Sequence, residues 1–150
     1  MLRIALYQPD IPQNVGAAMR LCACLGITLD IIEPCGFPWD IKKIKQSGMD
    51  YIELSDLKRH DSWKSFLDYH KDRRLVLMTT KASQNYLDFQ FTANDILIAG
   101  RESAGVPLDI HQFITNRIKI EMAGTTRSLN IINATSMITG EATRQIGLIK

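Results

Sequence analysis

Residues 127–145 read RSLNIINATSMITGEATRQ, and this stretch decides the fold class. Ile131, Thr135, Ile138, Ala142 and Ile146 recur at three- and four-residue steps, which is one face of an α-helix. No proline and one interior glycine, Gly140, interrupt the pattern. Just upstream, residues 117–122 (RIKIEM) alternate apolar and polar side chains like a strand. A strand, a polar loop and a helix N-terminus in that order form a ligand entrance in α/β proteins. The first N–H groups of the helix lack partners, and its dipole favours electron-rich groups. Arg127, Ser128 and Asn130 line that entrance with more side-chain donors than a turn needs.

Working outward, strand and helix patterns alternate. Leu2–Tyr7 reads as a strand, and residues 14–25 as a helix with Asn14 as N-cap and Gly26 as C-cap. Strands are expected at Leu29–Ile32, Tyr51–Leu54, Leu75–Thr79, Ile96–Ala99 and Ile118–Glu121. Helices are expected at Ile41–Ser47, Ser62–His70 and Pro107–Phe113. Strands separated by helices predict an α/β fold, a mainly parallel sheet with helices on both faces. Its ligands bind outside the carboxyl ends of the strands. Three strand ends carry short polar loops: Thr79-Thr80-Lys81, the run from Gly100 to Pro107, and Glu121 to Ser128. If their strands are neighbours, the three loops share one rim.

Several motif readings fail. Gly100 and Gly105 have phosphate-loop spacing, but Val106-Pro107 stands where Lys-Ser/Thr should follow, which excludes a nucleoside triphosphatase. His60, His70 and His111 lack metal-like spacing and read as solvent-facing or capping residues. Glu102 and Glu121 are as consistent with separate salt bridges as with a carboxylate pair. Phe37 and Trp39, in a Pro/Gly loop, fit a sealed core edge better than a base-stacking role. Arg20 on the first helix is by default a surface residue, and the sharper alternative is an arginine positioned near the rim.

The chain has 150 residues, 45% hydrophobic and 23% charged, the balance of one globular domain, residues 1–150. No apolar run reaches membrane-span length, and the first residues, MLRIALYQPD, lack a signal-peptide layout, so a cytoplasmic location is expected. Three cysteines without a C-x-x-C pair argue against a disulfide framework or a zinc site. A net charge of +2 does not by itself mark a nucleic-acid binder. Basic residues do cluster, at Lys42/Lys43/Lys45, Lys58/Arg59/His60 and Lys71/Arg73/Arg74. They form a phosphate-facing surface if the fold brings them together.

Five runs in order, PDIPQNVG with Arg20, IIEPCGFPWD, TTK, GRESAGVP and the RSLN-to-RQ segment, resemble the SPOUT superfamily of RNA methyltransferases. The resemblance is strongest to the small tRNA wobble-nucleotide ribose 2′-O-methyltransferases and spans essentially the whole chain. It implies a deep C-terminal trefoil knot, which general topology rules would otherwise exclude. It also implies a homodimer that binds S-adenosyl-L-methionine and the tRNA anticodon region, with no metal and no membrane. By position the cofactor residues would be Met78, Thr79, Gly100, Glu102, Ile120, Met122, Ser128, Leu129 and Asn133. Arg20 would be catalytic, and Asn14 and Arg127 would face substrate. Three residues depart from the pattern: Ile132 for a serine, Gly140 for a tyrosine and Arg101 for a proline. Ile132 and Gly140 motivate the alternative of a non-catalytic or weakly active RNA-binding homodimer with the same fold.

Overall fold

The computed structural model describes residues 1–48, 56–124 and 128–148, with backbone alone for 45–48. Seven strands, β1 (Arg3–Tyr7), β2 (Thr28–Ile32), β3 (Leu57–His60), β4 (Arg74–Met78), β5 (Gln84–Asn85), β6 (Asp95–Ala99) and β7 (Asn116–Lys119), form one sheet. Their spatial order is β3-β2-β1-β6-β4-β7-β5, and every pairing between them is parallel. The described residues also hold five α-helices: α1 (Pro12–Leu25), α2 (Ile41–Gly48), α3 (Trp63–Tyr69), α4 (Leu108–Phe113) and α5 (Ile131–Ile146).

The two-residue period of the strands divides the core into two layers. Ile4, Leu6, Leu29, Ile31, Val76 and Leu97 point to one face, where Val15 and Met19 of α1, Ile44 of α2 and Ile138 of α5 cover them. Ala5, Tyr7, Ile32, Leu77, Ile96 and Ile98 point to the other, under Phe66 of α3 and Ile110 of α4. Helices on both faces explain why these strands read as continuous apolar runs.

Some boundaries differ from expectation. The first helix begins at Pro12, and Ile11 at its N-cap position provides no side-chain hydrogen bond. Asn14 is therefore inside the helix and is not its cap. The proline at the first helical position is the signal that locates this start. The last strand is Asn116–Lys119, so the residues from Ile120 onward belong to the loop. The strand expected at Tyr51–Leu54 lies outside the described residues. Leu57–His60, read as a basic cluster, is instead the edge strand β3.

His60 and His70 also depart from expectation, because both are buried. Each meets Asp30 Oδ1 through Nε2, at 2.7 and 3.1 Å. Arg3 donates to both oxygens of the same carboxylate, at 2.8 and 3.0 Å. The potential ligand atoms of Asp30, His60 and His70 lie within 4.8 Å of one another. The guanidinium already neutralises Asp30 and occupies both its oxygens, so the group is a hydrogen-bonded charge cluster. It ties β1, β2 and β3 to the end of α3. Burial lowers the His70 pKa and keeps its ring neutral.

Candidate active site

β6, β4 and β7 are adjacent, so the loops after them do share one rim. Between that rim and α5 lies a cavity of about 670 Å³. Small-molecule sites generally fall between about 300 and 1,000 Å³. The cavity sits at the carboxyl ends of parallel strands, where such sheets bind ligands.

Each wall follows from local sequence. Met78 and Thr79 end β4, and the Thr79 N–H is held by the Ile118 carbonyl at 2.9 Å. Gly100 and Glu102 follow β6. Arg101 and Gly105 exchange backbone hydrogen bonds of 2.9 and 2.8 Å and pinch that loop shut. A Cβ on Gly100 would lie 2.7 Å from the Gly105 backbone, so the pinch requires glycine there. Gly105 itself has φ +66, the left-handed region. Ile120 and Met122 follow β7, and Ser128 and Leu129 precede α5; all four line the cavity. The face of α5 given by Ile131, Thr135 and Ile138 forms the remaining wall.

Two expected site residues, Asn133 and Arg20, lie off that wall. Asn133 is exposed and off the cavity wall, the third residue of α5. Its N–H is held at 3.4 Å by Asn130 Oδ1, which also accepts from the Ile132 N–H at 2.8 Å. Asn130 is thus the N-cap of α5. Arg20 is exposed on α1 and outside the cavity wall. Arg127 is outside the described residues.

Asn14 lines the cavity and is buried, and both ends of its amide hold protein groups. Its Nδ2 donates to Glu102 Oε1 at 3.1 Å, and its Oδ1 accepts from Asn130 Nδ2 at 3.5 Å. Glu102 pairs with Asp10 and not with Glu121, which meets Lys119 at 3.3 Å. The Asp10 N–H donates to Glu102 Oε2 at 2.9 Å, and Ser103 Oγ donates to Asp10 Oδ2. Burial and the neighbouring Asp10 carboxyl raise the Glu102 pKa. Hydrogen bonds from Glu102 and Ser103 lower that of Asp10. Asp10 was not singled out from sequence, because its partner is 92 residues away.

The three departures can now be placed. Ile132 is buried in the core against the sheet, and Gly140 is exposed with nothing within 4 Å of a built Cβ. Neither lines the cavity. Arg101 does, and its Nε is 3.9 Å from Asp10.

Residues 1–140 match the model of the SpoU rRNA Methylase family. The chain belongs to the SpoU rRNA methylase family. It is 50% identical to a tRNA (cytidine(34)-2′-O)-methyltransferase of Beijerinckia indica, over 97% of this chain and 92% of the relative. Identity to the Escherichia coli K12 protein of the same name is 40%, covering 98% and 95%. A solved structure described as giving insights into the 2-OH methylation of C/U34 on tRNA superposes with TM-score 0.92. It has 37% identity and covers 97% of this chain and 95% of that one. The SpoU methyltransferase AviRb from Streptomyces viridochromogenes, in complex with AdoMet, superposes at TM-score 0.84 and 25% identity, covering 97% and 60%.

Proposed function

We propose that this chain is an S-adenosylmethionine-dependent methyltransferase acting on the ribose 2′-hydroxyl of the wobble nucleotide of tRNA. The carrying observation is the cavity, because eight of the nine expected cofactor residues line it. The relatives' names and near-complete coverage support the reaction and the substrate. Ile132 and Gly140 lie off the cavity wall, which favours an active enzyme over a non-catalytic binding protein.

The residues fit the cofactor. Met78, Ile120 and Leu129 offer apolar surface for a flat base and a thioether chain, and Thr79 and Ser128 offer hydroxyls. Glu102 and Asp10 give the rim negative potential suited to a cationic ligand. When bound, S-adenosylmethionine supplies a methyl group already activated on a positively charged sulfur. The chain must then make the ribose oxygen nucleophilic. Arg20 is assigned that role, and its exposure is what a residue reached by RNA requires. A guanidinium stays protonated, so Arg20 orients the hydroxyl and stabilises the developing alkoxide, and the hydroxyl proton leaves to water or a tRNA phosphate. Asn14 holds Glu102 in place, and Arg127 is assigned to the substrate.

The reading extends to one catalytic domain over residues 1–150, a homodimer, a cytoplasmic location and docking of the anticodon region. It also includes a C-terminal trefoil knot. What supports the knot is that α5, which follows β7 in the chain, packs beside β6 and α1. Methylation of a tRNA substrate, mapped to the modified nucleotide, tests the proposal. Arg20→Ala is expected to keep S-adenosylmethionine affinity by calorimetry and to lose about 10²–10³ in turnover. Full turnover in that variant would remove Arg20 from the mechanism.

A further inference from the structure

The loop between β2 and α2 is not used by the reaction described above, yet it is built against the cavity rim. The Gly36 N–H donates to the Pro9 carbonyl at 2.9 Å. A Cβ on Gly36 would lie 2.5 Å from Asp10 Cβ and 3.3 Å from an Arg101 nitrogen. The loop is therefore pressed onto the two residues that border Glu102. From there Phe37 and Trp39 run outward, both partly buried against the core. Arg59 of β3 lies over the Trp39 ring with its guanidinium carbon 4.3 Å from the ring centroid. Glu33 grips the same guanidinium at 2.6 Å. Burial pushes the thiol of Cys35 up to about 11, with smaller contributions from Glu33, Arg59, Glu102 and Arg101.

Arg59 is thus held over an indole and gripped by a carboxylate, while its side chain is 41% exposed. A guanidinium plane fixed in this way presents an open π-face, and single-stranded RNA bases stack on such planes. Lys42 and Lys43 of α2 are exposed beyond the same loop, where a backbone phosphate would pass. We infer that the Trp39–Arg59 pair is a stacking platform for an unpaired nucleotide flanking the one methylated in the anticodon loop. The inference rests on the wobble-methyltransferase reading and adds the surface that receives the RNA.

Steady-state methylation of the tRNA by Arg59→Ala and Arg59→Lys tests it, with S-adenosylmethionine affinity measured on each protein. Arg59→Ala is expected to raise the KM for tRNA about tenfold, with kcat and cofactor affinity unchanged. Arg59→Lys keeps the charge but not the plane, and is expected to recover less than half of that loss on a logarithmic scale. An unchanged KM in Arg59→Ala, full recovery in Arg59→Lys, or a parallel loss of cofactor affinity overturns the platform. If the unmodified protein methylates no wobble nucleotide, the functional reading itself fails, which is a separate result.

Discussion

Two carboxylate centres in this molecule look alike in composition and behave oppositely. Asp30 is fully buried and meets one guanidinium and two imidazoles. Glu102 is partly exposed, and its partners are another carboxylate and an amide. The first arrangement neutralises a charge on the spot. The second concentrates negative character beside an open cavity. A buried charge with complete partners serves the fold, whereas a carboxyl pair at a rim is stable only because a ligand-facing surface tolerates it.

Removing Asp30 gives the largest expected effect. Asp30→Ala leaves a partly buried Arg3 beside two buried histidines with no anion, a loss of about 3 kcal/mol. A thermal melt should then fall by about 10 °C. S-adenosylmethionine affinity of the folded protein should be unchanged, because the cluster is remote from the cavity wall. A loss of cofactor affinity at intact stability would erase the distinction between the two centres.

Their pH responses should have opposite signs. The lowered His70 pKa means the unfolded chain binds more protons below its ordinary value of 6.5, so this centre loses stability as pH falls below 6.5. The raised Glu102 pKa means the folded chain holds the extra proton above the ordinary value of 4.5, so stability falls as pH rises from there. Asp10, whose pKa is lowered, acts below its ordinary 3.8, where acid removes its contribution. Urea unfolding between these limits should show His70→Gln lowering the slope of stability against pH. Glu102→Gln should raise it. Equal slopes in both variants would show that neither group titrates differently on folding.

The two centres also differ in how far the sequence reveals them. The cavity was legible because its walls are local features: glycine-bounded loops at strand ends, and a helix face set by Ile131, Thr135 and Ile138. The fold class followed from the same periodicities. The Asp30 cluster was not legible, because His60 and His70 lie 30 and 40 residues from their partner. A histidine in a charged run carries no local sign that β-pairing will bury it. β3 was hidden for the same reason: its Lys58, Arg59 and His60 read as a polar surface, and parallel pairing with β2 makes them a strand. Asn14 read as a helix cap although Pro12 starts the helix, and only the fold brings Glu102 to its amide, 88 residues away.

The smallest expected effect concerns Gly140, the departure least connected to either centre. It lies in the interior of α5, is exposed, and a built Cβ meets nothing within 4 Å. Alanine there adds no contact and removes no hydrogen bond, because Thr143 uses only the Gly140 carbonyl, at 2.8 Å. What changes is backbone entropy, which favours alanine in a helix by about 0.5–1 kcal/mol. Gly140→Ala should therefore raise the melting temperature by about 2–3 °C, with cofactor affinity and turnover unchanged. A lower melting temperature would mean that a second chain packs closely at this position. The glycine would then belong to the homodimer contact, and the exposed face of α5 would join the rim as a surface shaped for function.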